Sequence, residues 1–262
     1  MKNIRSIIAL FALAITVYSC TKTIEPPLVN SPPQLVIEGA VSDTAGPYHV
    51  NISKSVDFYA DNTYPGVSGA TVTITDQTAG VNDVLTETST GTYTTHTIVG
   101  KPGNTYQLKV VLDGKTYTST STMPYAVALD SITFDHTIVK NLIQPVVHFQ
   151  DPAAYTNYYK FSVEVNGVKV KRFQTFEDRL SNGKYINTDV ALDTGAIKKN
   201  DIVNVSLVTT DKGAYTFLSE AENIAFYNSQ QAAPATPTSN ISGGCLGYFS
   251  AQTVSSKKRK LE

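Results

Sequence analysis

Residues 106–122 read YQLKVVLDGKTYTSTST. Two arms of alternating residues flank Asp113-Gly114, a dipeptide that supplies the left-handed backbone of a two-residue hairpin turn. The pattern returns in YYKFSVEVNGVKVKRFQTF (158–176), turned at Asn166-Gly167. Period-two alternation closed by Asp-Gly and Asn-Gly places a chain among β proteins. The composition agrees, with 15 Tyr, 10 Phe and 16 Gly, beside many Thr and Val residues.

Further strands are expected on both sides of these hairpins. In the first half they are QLVIEGAV (34–41), YHVNISKSV (48–56), GATVTIT (69–75) and TYTTHTIV (92–99). In the second half they are LDSITFDHTI (129–138), QPVVHFQD (144–151), YINTDVAL (185–192), DIVNVSLVTT (201–210) and CLGYFSAQTV (245–254). Strands spaced by about 8–20 residues, with Gly, Pro and Asn between them, point to β-sandwiches. The expected fold is mainly β, with two β-sandwich domains in tandem. The first, 34–124, is Ig-like or transthyretin-like. The second, 125–256, carries one amphipathic helix near 211–232. In that helix Phe217, Ala221, Ile224 and Asn228 form one face, thickened by Leu218 and Ala225, and Asp211 is the expected N-cap. The loop 232–244 is expected to be flexible, and the basic end 257–262 a solvated tail.

The chain has 262 residues, 41% hydrophobic and 16% charged, with a net charge of −1. That is globular composition. It supplies no overall field for nucleic acid, and no nucleic-acid partner is expected.

The N-terminus reads as an export signal over residues 1–19. Lys2 and Arg5 precede an eleven-residue apolar run, Ile7 to Val17, shorter than the roughly 20 residues of a spanning helix. The run closes on Val17-Tyr18-Ser19-Cys20. An aliphatic residue, any residue, a small residue and Cys resemble the bacterial lipobox. That resemblance implies cleavage before Cys20 and acylation of its thiol. A lipobox cysteine carries a diacylglyceryl group and an N-acyl chain, and three chains would hold far better than one, at about 0.8 kcal/mol per buried methylene. TKTIEPPLVNSPP (21–33) then reads as an extended tether of roughly 40 Å, so that 20–33 comprises the anchor and spacer. Cys245, with Cys20 acylated, has no partner in the chain and reads as a small buried apolar residue.

No motif for nucleotide, metal or nucleophilic chemistry occurs. His49, His96, His136 and His148 lack metal-ligand spacing. The two aspartates of NTDVALDTG (187–195) fit turn chemistry as well as an ion site. No cofactor, metal or catalytic residue is expected. The binding candidates are aromatic: Tyr155, Tyr158 and Tyr159 of YTNYY, and Tyr59 and Tyr64 of FYADNTYPG. Tyrosine faces can stack on sugars or partner proteins. Neighbours in a strand point to opposite faces, so one of Tyr158 and Tyr159 is expected in the core.

A set of segments, in order, carries a family likeness: QLVIEGAVSD (34–43), PGVSGATVTITD (65–76), GTYTT (91–95), PGNTYQLKV (102–110), FQDPAAYTNYYKF (149–161) and PTSNISGGCLGYFSA (237–251). Together they resemble domain-of-unknown-function family 4249, a family of lipoproteins from Bacteroidetes-type bacteria. The first domain is also similar to carboxypeptidase-regulatory-like and transthyretin-like sandwiches. The family resemblance implies a lipid-anchored outer-membrane protein, on the cell surface or the periplasmic face. It further implies a non-catalytic accessory subunit of a TonB-dependent outer-membrane receptor. The alternative expectation is a stand-alone surface lipoprotein that binds a glycan or peptide.

Overall fold

A computed structural model describes residues 32–56, 63–135, 143–193, 195–227 and 236–262. The export segment, Cys20 and the tether up to residue 31 lie outside the described residues. The first-half strands are β1 (Leu35–Ser42), β2 (His49–Lys54), β3 (Thr71–Asp76), β4 (Val81–Val84), β5 (Thr86–Ser89), β6 (Thr92–Thr94), β7 (Thr105–Leu112) and β8 (Lys115–Thr122). The second-half strands are β9 (Ser131–Asp135), β10 (Gln144–Gln150), β11 (Tyr158–Val165), β12 (Val168–Glu177), β13 (Tyr185–Asp189), β14 (Ile202–Thr210) and β15 (Leu246–Lys260). Both expected hairpins form. Asp113 and Gly114 have φ of 50° and 76°, and Asn166 and Gly167 have 52° and 82°. Positive φ at both central residues matches the right-handed twist of the arms.

Alternation makes each strand one-sided, and the buried sides meet in two cores. In the first, Ile37, Val50, Ile52 and Tyr93 face Val72, Ile74, Leu108 and Val110. In the second, Val147 and Phe149 face Tyr159, Phe161, Val205 and Leu207. Each fully buried aliphatic or Phe side chain contributes about 1.5–3 kcal/mol. Each core therefore sits between a shared sheet and a smaller one. The shared sheet has the order β12-β11-β14-β15-β1-β2-β6-β5; the smaller sheets are β4-β3-β7-β8 and β13-β10-β9. Met123 closes the first core, while Val127 and Leu129 belong to the second.

One strand belongs to both sandwiches. Leu246 to Gln252 of β15 pair parallel with β1, and Thr253 to Lys260 pair antiparallel with β14. The two blocks thus share an eight-stranded sheet, and Pro33–Glu262 is one compact unit. Gly247 lies at the close approach: its φ is 101°, and a Cβ there would overlap the Ile37 carbonyl oxygen. Only glycine suits that position.

This strand corrects the reading of 257–262 as a solvated tail. Lys257, Lys258, Arg259 and Lys260 stand opposite Val205, Asn204, Val203 and Ile202. Their side chains are exposed, so the charges stay in water while the backbone gains a ladder. Arg259 Nη1 donates to the Ile132 carbonyl (2.8 Å), and Leu261 is buried in the second core. Loop 232–244 differs too from its expected flexibility over its described part, from residue 236. Asn240 exchanges side-chain hydrogen bonds with the Phe249 backbone (2.8 and 2.9 Å), and Ser242 bridges Thr118 of β8.

The helix forms as α1 (Lys212–Glu222), and Asp211 caps it by accepting from the Ala214 N–H (3.0 Å). Its buried face is Ala214, Leu218 and Glu222, rotated from the expected Phe217–Ala221–Ile224 stripe. The rotation has a polar cause. Glu222 is buried because it accepts from the Thr175 N–H (2.7 Å) and hydroxyl (2.5 Å). Beyond Glu222 the chain widens into a π turn, Asn223–Tyr227. Among the described residues no helix is long and apolar enough to cross a membrane.

Candidate functional site

The segment after β8 and the loop after β10 meet where one core gives way to the other. Met123, Pro124 and Tyr125 come from the first, and Pro152, Tyr155, Thr156 and Asn157 from the second. With Gly103, Thr122 and Thr210 they line a cleft of about 370 Å³. Tyr125 is 65% exposed and Tyr155 63%. Asn157 is buried, and its side-chain Oδ1 has no hydrogen-bond partner among the described residues. The rim is thus aromatic.

Two buried carboxyl groups hold this loop. Asp151, at its start, accepts from the Tyr159 hydroxyl and from the Gly183 N–H (2.8 Å). Asp178 follows β12 and opens a short 3₁₀ turn (Asp178–Leu180). It accepts from the Asn157 N–H through Oδ2 (2.8 Å), while its Oδ1 is unpartnered and buried. Burial pushes the Asp178 carboxyl above the usual carboxylate range, and the neighbouring Asp151 carboxylate adds to the shift. The Asn157 N–H opposes it. Burial thus disfavours the charged form of Asp178. The hydrogen bonds that the two groups accept from Gly183 and Asn157 fasten the loop. The Tyr159 hydroxyl is likewise pushed up by burial and by Asp151, and acts as a fixed donor.

A second, larger cleft of about 650 Å³ is lined in part by the turn that follows β12. The end of β12, Arg179, Leu180, Lys184, Tyr185 and Tyr215 of α1 line it. It mixes charges, with Glu177, Arg179 and Lys184 on its walls.

The predicted residues have different fates. Cys20, Tyr59 and His136 lie outside the described residues. Tyr64 is exposed, on a segment tied to β2 by the Lys54 N–H to Pro65 carbonyl bond (3.0 Å), and lines neither cleft. Tyr155 stands at the first cleft. Tyr159 is fully buried and serves the core and Asp151, not a ligand surface. Tyr158 is half-buried against the helix, its ring 5.0 Å from that of Tyr215. The YTNYY cluster is therefore divided among rim, helix contact and core. Tyr159 is the member of the Tyr158–Tyr159 pair that strand alternation sends into the core, and its burial leaves it no face for a ligand; Tyr158 is half-buried.

The remaining polar candidates have structural partners. His148 bonds Thr133 and Asn187, His96 bonds Thr86, and His49 bonds Thr94. Asp193 pairs with Arg172 (3.3 Å). Cys245 is buried in the first core, and burial pushes its thiol up to about 11. Sequence reasoning missed Tyr125 and Asn157. Tyr125 follows Pro124 outside any alternating run, which is a signal of exposure. Nothing local marked Asn157, whose role depends on Asp178, 21 residues away.

No curated protein matches this chain. The model of a protein family described as a domain of unknown function, DUF4249, matches residues 21–258, and the chain belongs to that family.

Proposed function

We propose that this chain is a lipid-anchored, non-catalytic binding subunit of the bacterial outer membrane, accessory to a TonB-dependent transporter. One observation carries the anchor: the apolar run that ends in Val17-Tyr18-Ser19-Cys20, with a proline-rich spacer leading to a compact unit that begins at Pro33. Attachment confines the unit to the membrane plane and raises its effective concentration beside a receptor, so a modest interface suffices. The transporter partner follows from the family resemblance described for this sequence.

Two experiments test this. Cys20→Ala should release the protein from the membrane fraction or leave it unprocessed; a correctly cleaved mutant that stays membrane-bound overturns the lipid anchor. Affinity capture from a detergent extract should bring down a large β-barrel. A second reading, a stand-alone binder of glycan or peptide, is favoured by the cleft at Tyr125 and Tyr155.

A further inference from the structure

We propose that the cleft between Tyr125 and Tyr155 binds a neutral saccharide, the tyrosine rings gripping a sugar ring and the threonine hydroxyls of the lining exchanging hydrogen bonds with it. The inference rests on the reading of this chain as a binding subunit and names the ligand class and the site.

Four observations favour this ligand. First, Tyr125 and Tyr155 are the most exposed tyrosines among the described residues, and segments 30 positions apart bring them to one cleft. An exposed aromatic face suits the C–H face of a sugar ring. Second, the lining carries no charged side chain. It offers nothing to select an acidic or basic ligand, while Thr122 and Thr156 can exchange hydrogen bonds with hydroxyls. Third, apolar and hydrogen-bonding groups stand side by side in the lining, Met123, Pro124 and Pro152 beside Thr122, Thr156 and Thr210, which suits a ligand with both C–H and O–H surface. Fourth, the site is built in advance. Pro124 and Pro152 stiffen its walls, and Asp151 and Asp178 fasten the loop that bears Tyr155 and Asn157. Fixed geometry reduces the entropy lost on binding.

A peptide fits less well. The volume of about 370 Å³ is near the low end of small-molecule sites, which start at roughly 300 Å³. The sheet edge at this cleft is that of β8, through Thr122, and Ser242 already bridges that strand at Thr118.

The test uses the mature protein, extracted in a detergent without a sugar headgroup. An array of neutral oligosaccharides is screened, followed by titration of the best binder and by saturation-transfer NMR with maltose, cellobiose and lactose. Binding of a neutral saccharide is expected, with weaker binding of its uronic-acid counterpart. Tyr125→Ala and Tyr155→Ala should each weaken it about five- to tenfold, as loss of a ring contact worth about 1 kcal/mol requires, with an unchanged melting temperature. The double variant should still capture the β-barrel partner. No neutral saccharide bound across the array overturns the proposal. So does binding that the double variant leaves intact, or displacement of the sugar by a proline-rich peptide that proves the tighter ligand. Saccharide binding without barrel capture would refute the accessory role alone; capture without saccharide binding would refute the cleft assignment alone.

Discussion

Ending the chain at Ser256 should be far more damaging than removal of six terminal residues suggests. The cut deletes Lys257 to Glu262. It removes the ladder positions opposite Val205, Asn204, Val203 and Ile202. Also lost are the Asn200 N–H to Leu261 carbonyl bond (2.8 Å), the Leu261 N–H to Asp201 carbonyl bond (2.9 Å) and the Arg259 contact with Ile132. Backbone bonds contribute about 0.5–1.5 kcal/mol each. Leu261 is 4% exposed; it lies at the end of its core, so Leu261→Ala should cost about 2–3 kcal/mol, the low end for buried leucines. The truncation should then cost about 5 kcal/mol, comparable to the whole stability of a modest domain. Urea denaturation of the mature protein, followed by far-UV circular dichroism, measures both. Lys257→Ala, Lys258→Ala and Lys260→Ala are the controls: these side chains are exposed, so each should stay within about 0.5 kcal/mol of the parent. A truncated protein with unchanged midpoint would refute the shared strand and restore a solvated tail.

Three other perturbations probe separate parts of the account. Asp178→Asn tests the acid pair. Its pKa is raised in the fold, first by burial, so its contribution is complete below the unfolded value near about 3.9 and is lost as pH rises through the folded value. The variant should gain stability relative to the parent as pH rises to 7 and lose that advantage in acid; a gain independent of pH would contradict the raised Asp178 carboxyl. Gly247→Ala introduces a Cβ into the Ile37 carbonyl at positive φ and should cost about 3 kcal/mol or more; a midpoint within 1 kcal/mol of the parent would mean that β1 and β15 do not approach closely. Cys245, buried and with its thiol pushed up to about 11, should resist iodoacetamide at pH 8 and react once urea unfolds the protein; rapid alkylation of the native protein would place it outside the core.

Local chemistry was legible in the sequence, and long-range pairing was not. Asp113-Gly114 and Asn166-Gly167 fix their turns through their own backbones, so the hairpins could be read directly. Asp211 was legible for the same reason, since a cap acts on residues three positions away. The strand through Lys257–Lys260 was hidden because its side chains are all polar; its partner, β14, lies 50 or more residues earlier. The short strands β4 and β5 lack a continuous apolar face and were missed on those grounds. The YTNYY tyrosines were correctly marked as unusual, but only packing decides among them. Tyr158 packs against a helix more than 50 residues later, while Tyr155 is left at a cleft whose other rim, Tyr125, belongs to the link between the blocks.

The accessory role is tested most directly by affinity capture at native expression. The tagged protein, extracted from membranes in mild detergent, is resolved by size and identified by mass spectrometry. The account predicts that a large outer-membrane β-barrel of the TonB-dependent class co-elutes in stoichiometric amount, and that Cys20→Ala reduces the yield of that complex. A monodisperse protein with no partner, at the size of the lone chain in its micelle, would contradict it.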